Sequence, residues 1–273
     1  MRHIVSLSGG VSSAVAADRV INRYGRDAVT LWFADTSWED EDLYRFIDDC
    51  MQRWGGELVR HADGRNPLQI GEEHNIIPNQ RLAPCTFELK IEPFERYLWK
   101  TVRPITVYLG FNWDEEEDRI DKRRYWRRIP KNGGKPHRPN GYAARFPGVY
   151  EDFPLLWKPL VWDTQAEVRS WGIDVPRLYK AGFPHNNCGG RCVKQGIGEW
   201  NRLRIQFPER FAEVRDWELA QRAKGGARAD YAICRDQSGG QVRPVTLAEI
   251  ELRNQPEDDR HSQSDMFACF CSY

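Results

Sequence analysis

Between residues 3 and 24 the chain passes from a short apolar stretch through paired glycines into a helical pattern. That junction restricts the fold more than any other segment. His3 to Leu7 reads as a β-strand, Ser8-Gly9-Gly10-Val11-Ser12-Ser13 as a turn, and Ser13 to Arg23 as a helix. Ala14, Ala17, Ile21 and Tyr24 recur at spacings of three and four, as one buried helical face requires. Paired glycines let the backbone come close to an anion, and hydroxyls and N–H groups at a helix start point towards it. The segment predicts a strand–loop–helix unit that holds a phosphate. It is not the common P-loop, because no Gly-Lys-Ser/Thr follows.

The same alternation continues. Ala28 to Ala34 is an apolar run of strand length ended by Asp35-Thr36, and Glu39 to Trp54 carries Leu43, Phe46, Ile47, Cys50 and Trp54 at helical spacing. Gly55-Gly56 stops that helix, Glu57 to Arg60 gives a third strand, and Ile105 to Gly110 a fourth. Strands and helices at this interval predict an α/β, Rossmann-like fold: a mainly parallel sheet with helices on both faces. Ligands of such sheets sit at the carboxyl ends of the strands, so Ser8–Gly10, Asp35-Thr36 and Gly110-Phe111 are expected around one crevice. Further helices are predicted from Asp163 or Thr164 to Arg169, from Ile197 to Phe207 and from Glu209 to Ala223. The expected division is a nucleotide-binding domain over 1–200 and a helical and irregular, cysteine-containing C-terminal extension over 201–273.

Forty basic and forty acidic residues cancel, so whole-chain charge points to neither nucleic acid nor membrane. No apolar run approaches the roughly 20 residues that cross a bilayer, and a glycine turn interrupts the N-terminal apolar stretch, unlike a signal peptide. A cytoplasmic protein is the expectation. Residues 119–145 differ in character. Ten arginines and lysines there, from Arg119 to Arg145, meet one acid, Asp121, with Tyr125, Trp126 and Tyr142 interspersed. A solvated insertion and an arm that meets nucleic acid phosphates, its aromatics stacking on bases, both fit that pattern.

In a cytosolic chain, seven cysteines read as metal ligands or catalytic thiols rather than disulfides. Cys188-Gly189-Gly190-Arg191-Cys192 sets two thiols on one glycine-loosened loop, suited to two ligands of a single metal centre; His185 beside it reads as a further donor or as a polar surface residue. Cys85 follows a proline at the start of an expected helix, where the dipole lowers a thiol pKa. Cys50, on a helical face, and Cys234 read as core. Cys269 and Cys271 lie in a terminal segment that could fold back as a fourth ligand or as a catalytic nucleophile.

The turn resembles the PP-loop, Ser-Gly-Gly-x-Asp-Ser, of the ATP pyrophosphatase and adenine-nucleotide alpha-hydrolase superfamily, with Ser8, Gly9, Gly10 and Ser13 in place and Ser12 where the Asp stands. Further segments narrow the resemblance to the phosphoadenosine phosphosulfate (PAPS) reductase family. They are Ala34-Asp35-Thr36, Pro84-Cys85-Thr86 with Leu89-Lys90 and Pro93, Leu109-Gly110-Phe111 with Asn112 and Arg119, Pro159 to Thr164, Leu178-Tyr179 with Gly182-Phe183, then Cys188 and Cys192. The likeness covers about residues 3 to 200.

The resemblance implies an adenine nucleotide, ATP or PAPS, held by Ser8, Gly9, Gly10, Ser12, Ser13, Asp35, Thr36, Lys90, Gly110 and Arg119, with Mg2+ as a candidate companion. It also implies sulfur chemistry by Cys85, Cys269 or Cys271, or a metal on Cys85, Cys188 and Cys192 with Cys269 or Cys271 as a fourth ligand. Thiolates of that kind select a [4Fe-4S] cluster or zinc over harder metals. Three functions follow: nucleotide-activated sulfur transfer at an iron–sulfur centre, thiol-dependent reduction of a sulfonucleotide with a thioredoxin-like or sulfur-donor partner, and non-catalytic nucleotide or nucleic-acid binding with structural zinc. The cysteine loop and the basic arm favour the first.

Overall fold

The computed structural model describes residues 1–111, 141–157, 164–236 and 242–253. Five parallel strands, β1 (Arg2–Ser6), β2 (Val29–Asp35), β3 (Leu58–Ala62), β4 (Ile105–Tyr108) and β5 (Val149–Asp152), form a sheet in the order β3-β2-β1-β4-β5. The direction of crossover reverses between β1 and β4, where Val5 pairs with Tyr108. An open parallel sheet binds ligands in the crevice at such a switch point. β5 was not among the predicted strands. Its four residues follow Gly148 without any periodic run, and pairing of Ile105 to Tyr108 with Val149 to Asp152 alone makes it a strand.

Both faces of the sheet are covered, as the apolar strands require. Val5, Leu31 and Phe33 face α1 (Val11–Tyr24) and α2 (Glu41–Trp54) in one core cluster. Ile4, Trp32 and Ala34, one residue out of phase, face Phe94 and Leu98 in another. Those two residues belong to a helical run, α3, which covers 84–100 and turns π-helical over Phe87–Ile91. α1 starts at Val11, two residues before the predicted start, because the Gly10 carbonyl already accepts the Ala14 N–H at 3.1 Å. Cys50 lies in the first cluster, where burial pushes its thiol up to about 12.

Beyond the sheet, α4 (Arg177–Lys180), α5 (Ile197–Gln206) and α6 (Pro208–Ala223) build a third cluster with the hairpin β6 (Cys234–Asp236) and β7 (Arg243–Val245). Leu68, Ile70, Cys85 and Leu89 join them, so this region packs against the segments that follow β3. The Glu218 carboxylate on α6 ties it together, accepting the N–H groups of Ile233 and Leu247 at 2.7 Å each.

Burial raises the Glu218 pKa despite those two bonds. A raised folded value means that the folded state holds the proton longer. The contribution of Glu218 is therefore complete below the ordinary carboxylate range and is lost as pH rises through the raised value. Glu218→Gln leaves one backbone N–H facing an amide and is expected to destabilise by about 1–3 kcal/mol. Urea unfolding from about pH 4 to 8 should show that loss shrinking as pH rises. A loss that grows with pH would mean a lowered pKa instead.

Candidate functional site

Residues 8–13 close a compact turn at the end of β1. Ser13 Oγ accepts from the Ser8 N–H and hydroxyl, both at 3.1 Å, and donates to the Gly10 carbonyl at 2.8 Å. Gly9 has φ +78°, and a Cβ there would lie 2.7 Å from the Leu43 side chain, so only glycine closes the turn without strain. Gly110, at the end of β4, lies against the same turn: a Cβ would come within 2.8 Å of the Ser13 backbone.

The start of α1 has no side-chain cap and no acid in its first turn. α2, by contrast, is capped by Asp40 and opens on Glu41 and Asp42. Its uncapped N–H groups and dipole make the α1 start suited to an anion. Among the described residues the Val11 N–H alone of these has a partner, the Tyr179 hydroxyl of α4 at 3.3 Å.

The end of β2 is built differently. Asp35 is buried, and its carboxylate is occupied by protein donors. Oδ1 accepts from the Tyr44 hydroxyl at 2.8 Å and the Ser37 N–H at 2.9 Å, while Oδ2 accepts from Arg60 Nε at 2.9 Å and from Arg60 Nη2. Burial first, then the bond to Asp35, raises the Tyr44 phenol above its ordinary value. Asp35 thus fixes the turn and orders its neighbours.

Thr36 donates through Oγ1 to Glu39 Oε1 at 2.9 Å, and Lys90 Nζ stands 3.6 Å from the same oxygen. The other Glu39 oxygen accepts the Cys188 N–H at 2.5 Å. One buried carboxylate therefore joins the β2 end, α3 and the cysteine loop. Next to it Asp40 pairs with Arg177 at 2.8 Å and Arg210 at 2.5 Å, and Arg210 also donates to the Gly189 carbonyl at 3.0 Å.

The cysteine loop is strained at its first thiol. Cys188, Gly189 and Gly190 have φ of +52°, +58° and +80°, a left-handed conformation that costs a residue with a side chain about 1–2 kcal/mol. Its carbonyls are held by Arg210 at Gly189, by Gln195 at Gly190 (2.9 Å) and by the Arg191 guanidinium at Cys188 (3.3 Å). Arg191 also stacks 4.3 Å above Trp38. Two residues upstream, Asn186 Nδ2 donates to the Gly9 carbonyl at 3.0 Å, so the cysteine loop rests directly on the Ser8–Ser13 turn.

Cys85 and Cys188 are buried in one cluster, with Cys192 half-buried against it. Among the described residues no three Cys, His, Asp or Glu side chains form a group able to hold a metal ion. His185 is half-buried with its Nε2 enclosed, and burial lowers its pKa. Cys85 takes the predicted place, in the first turn of α3 after Pro84. Cys234 is fully enclosed and its thiol is raised by burial, as a core cysteine is.

In sequence, Glu39 and Asp40 read only as acids after a strand, and Asn186 and Arg210 carry no expected role. Acids at a helix start signal a cap; nothing in the sequence marks Asn186 or Arg210. Tyr142, expected on the basic arm as a stacking surface, is a core residue 5.2 Å from Phe94, and Arg145 pairs with Glu95 at 2.5 Å. The remainder of that arm through Asn140, with Asn112 and Arg119, lies outside the described residues, as do Pro159 to Asp163, Cys269 and Cys271. Among the described residues no helix is long and apolar enough to cross a membrane.

Comparison with known proteins places this arrangement in a family. No curated protein matches the chain. Among solved structures it is similar to phosphoadenylyl-sulfate (PAPS) reductase from Candida auris, crystallised as a phosphate complex, at 17% identity over 67% of this chain and 77% of that one, with a TM-score of 0.41. The phosphoadenosine phosphosulfate reductase domain family matches residues 2–188, from the first residue of β1 to the first cysteine of the strained loop. On that match, which spans well over half of its length, the chain belongs to the phosphoadenosine phosphosulfate reductase domain family.

Proposed function

We propose that this chain is an enzyme of sulfonucleotide chemistry. It binds an adenine nucleotide with a phosphate on the Ser8–Ser13 turn and works on sulfur with the thiols of the Cys188–Cys192 loop. The observation that carries this reading is the pair of ties from the cysteine loop: Asn186 to Gly9 of the turn and the Cys188 N–H to Glu39 at the β2 end.

In this reading the Cys192 thiolate, the more open of the pair, attacks the sulfonate sulfur. A sulfur–sulfur bond forms, the sulfur–oxygen bond to the phosphate breaks, and the nucleotide phosphate leaves with the electron pair. Cys188 then attacks Cys192 Sγ, sulfite departs with the bonding pair, and a disulfide remains. A thioredoxin-like dithiol returns it to two thiols.

Sulfur transfer at a [4Fe-4S] cluster is the second reading. The shared burial of Cys85 and Cys188, with Cys192 against them, favours it. The donors among the described residues form no group that would hold a cluster or zinc. Mg2+ finds no carboxylate in residues 8–13, where Ser12 replaces the superfamily Asp.

Cys188→Ser and Cys192→Ser test the proposal. Each should bind adenosine 3′,5′-bisphosphate within about twofold of the parent by calorimetry, since a thiol-to-hydroxyl change leaves the turn intact. Sulfite release from PAPS with thioredoxin as reductant should fall at least about a hundredfold, as expected when a nucleophile is lost. Release that survives both substitutions would overturn the thiol assignment. Absorbance near 400 nm in anaerobically purified protein would instead support the cluster reading.

A further inference from the structure

We propose that Asn186 is a positioning residue of the anion-binding turn; the inference rests on the nucleotide reading of that turn. The Asn186 side chain is 2% exposed and reaches the turn through one contact, Nδ2 to the Gly9 carbonyl at 3.0 Å. The Gly9–Gly10 peptide is trans, so its carbonyl and its N–H point in opposite directions. Holding the Gly9 carbonyl on the Asn186 side turns the Gly10 N–H the other way. That N–H donates to no group among the described residues. Gly9, at φ +78°, has no side chain to bias the orientation of this peptide. Asn186 supplies the restraint.

A second observation separates this amide from ordinary core packing. Buried amides normally have both ends satisfied, yet Asn186 Oδ1 is buried with no partner among the described residues, and so is Nε2 of the neighbouring His185. An acceptor left open costs about 1–3 kcal/mol. The amide is thus held with one end on the turn and the other buried without a protein partner among the described residues, a cost that ordinary packing does not explain.

The test is a titration of the full chain, labelled with 15N-glycine, with inorganic phosphate and with adenosine 3′,5′-bisphosphate. The Gly10 amide resonance should move on binding either ligand. Asn186→Ala, folded by circular dichroism, should bind both about tenfold more weakly, with the Gly10 shift greatly reduced. Unchanged affinity in folded Asn186→Ala would overturn the inference while leaving the nucleotide reading intact. So would a Gly10 resonance in the parent protein that stays still while Gly9 responds, and that measurement decides the matter even if Asn186→Ala does not fold. Failure of the parent to bind either ligand would overturn the nucleotide reading itself, and the role of Asn186 with it.

Discussion

Gly110→Ala is expected to abolish measurable nucleotide binding and to destabilise the fold by about 1–3 kcal/mol, the usual range for overpacking a tight contact. The new methyl would stand 2.8 Å from both Cα and N of Ser13 and 3.0 Å from the Ser12 carbonyl carbon. These are backbone atoms in the first turn of α1, so no side chain can rotate away. Relief must come from moving the helix start off β4. The same displacement pulls Ser13 away from Ser8 and Gly10, whose contacts close the turn.

Affinity should therefore fall further than stability alone implies. Calorimetry with adenosine 3′,5′-bisphosphate reads the first effect and urea unfolding the second. Nucleotide binding retained within about threefold, a change of less than 1 kcal/mol, would mean that the ligand sits elsewhere on the sheet.

That contact also marks how far the sequence reading could go. The Ser8–Ser13 turn, the strands to either side and the buried faces of α1 and α2 were legible, because glycine pairs and three-to-four spacing are local signals. Gly110 could be placed at a strand end but not against Ser13, since the two meet only once β1 and β4 pair. Asp35 shows the same boundary from the other side. It was expected at the strand end near the nucleotide; it does end β2, and there Tyr44 and Arg60 fill its carboxylate from elements 9 and 25 residues away. β5 was missed because four residues carry too little periodicity, and Tyr142 because a charged stretch hid a core aromatic. Local pattern fixes which elements form; the ties between the cysteine loop and the turn depend on long-range packing that no spacing records.

Glu39 ties the same loop to the end of β2, and its loss should have the second large effect. Glu39→Ala removes the carboxylate shared by Thr36, Lys90 and the Cys188 N–H. Truncating one partner of a buried ion pair costs about 3–5 kcal/mol. Glu39→Gln keeps the size and one acceptor oxygen, so it should recover part of that loss. The consequence for the cysteine loop is more specific. Cys188 is 6% exposed and holds a left-handed backbone that its side chain disfavours, and Glu39 anchors its N–H. Without that anchor the residue gains by relaxing to an ordinary conformation, which opens its thiol to solvent. Alkylation of Cys188 by iodoacetamide, followed by mass spectrometry, should thus accelerate at least about tenfold in Glu39→Ala under conditions where the variant remains folded, the factor that about 1.4 kcal/mol of lost restraint gives. Cys50, packed in a separate core, serves as the internal control and should keep its rate. Equal acceleration at Cys50 would signify general loosening, and no acceleration at Cys188 would show that Arg210, Gln195 and Arg191 hold the loop without Glu39.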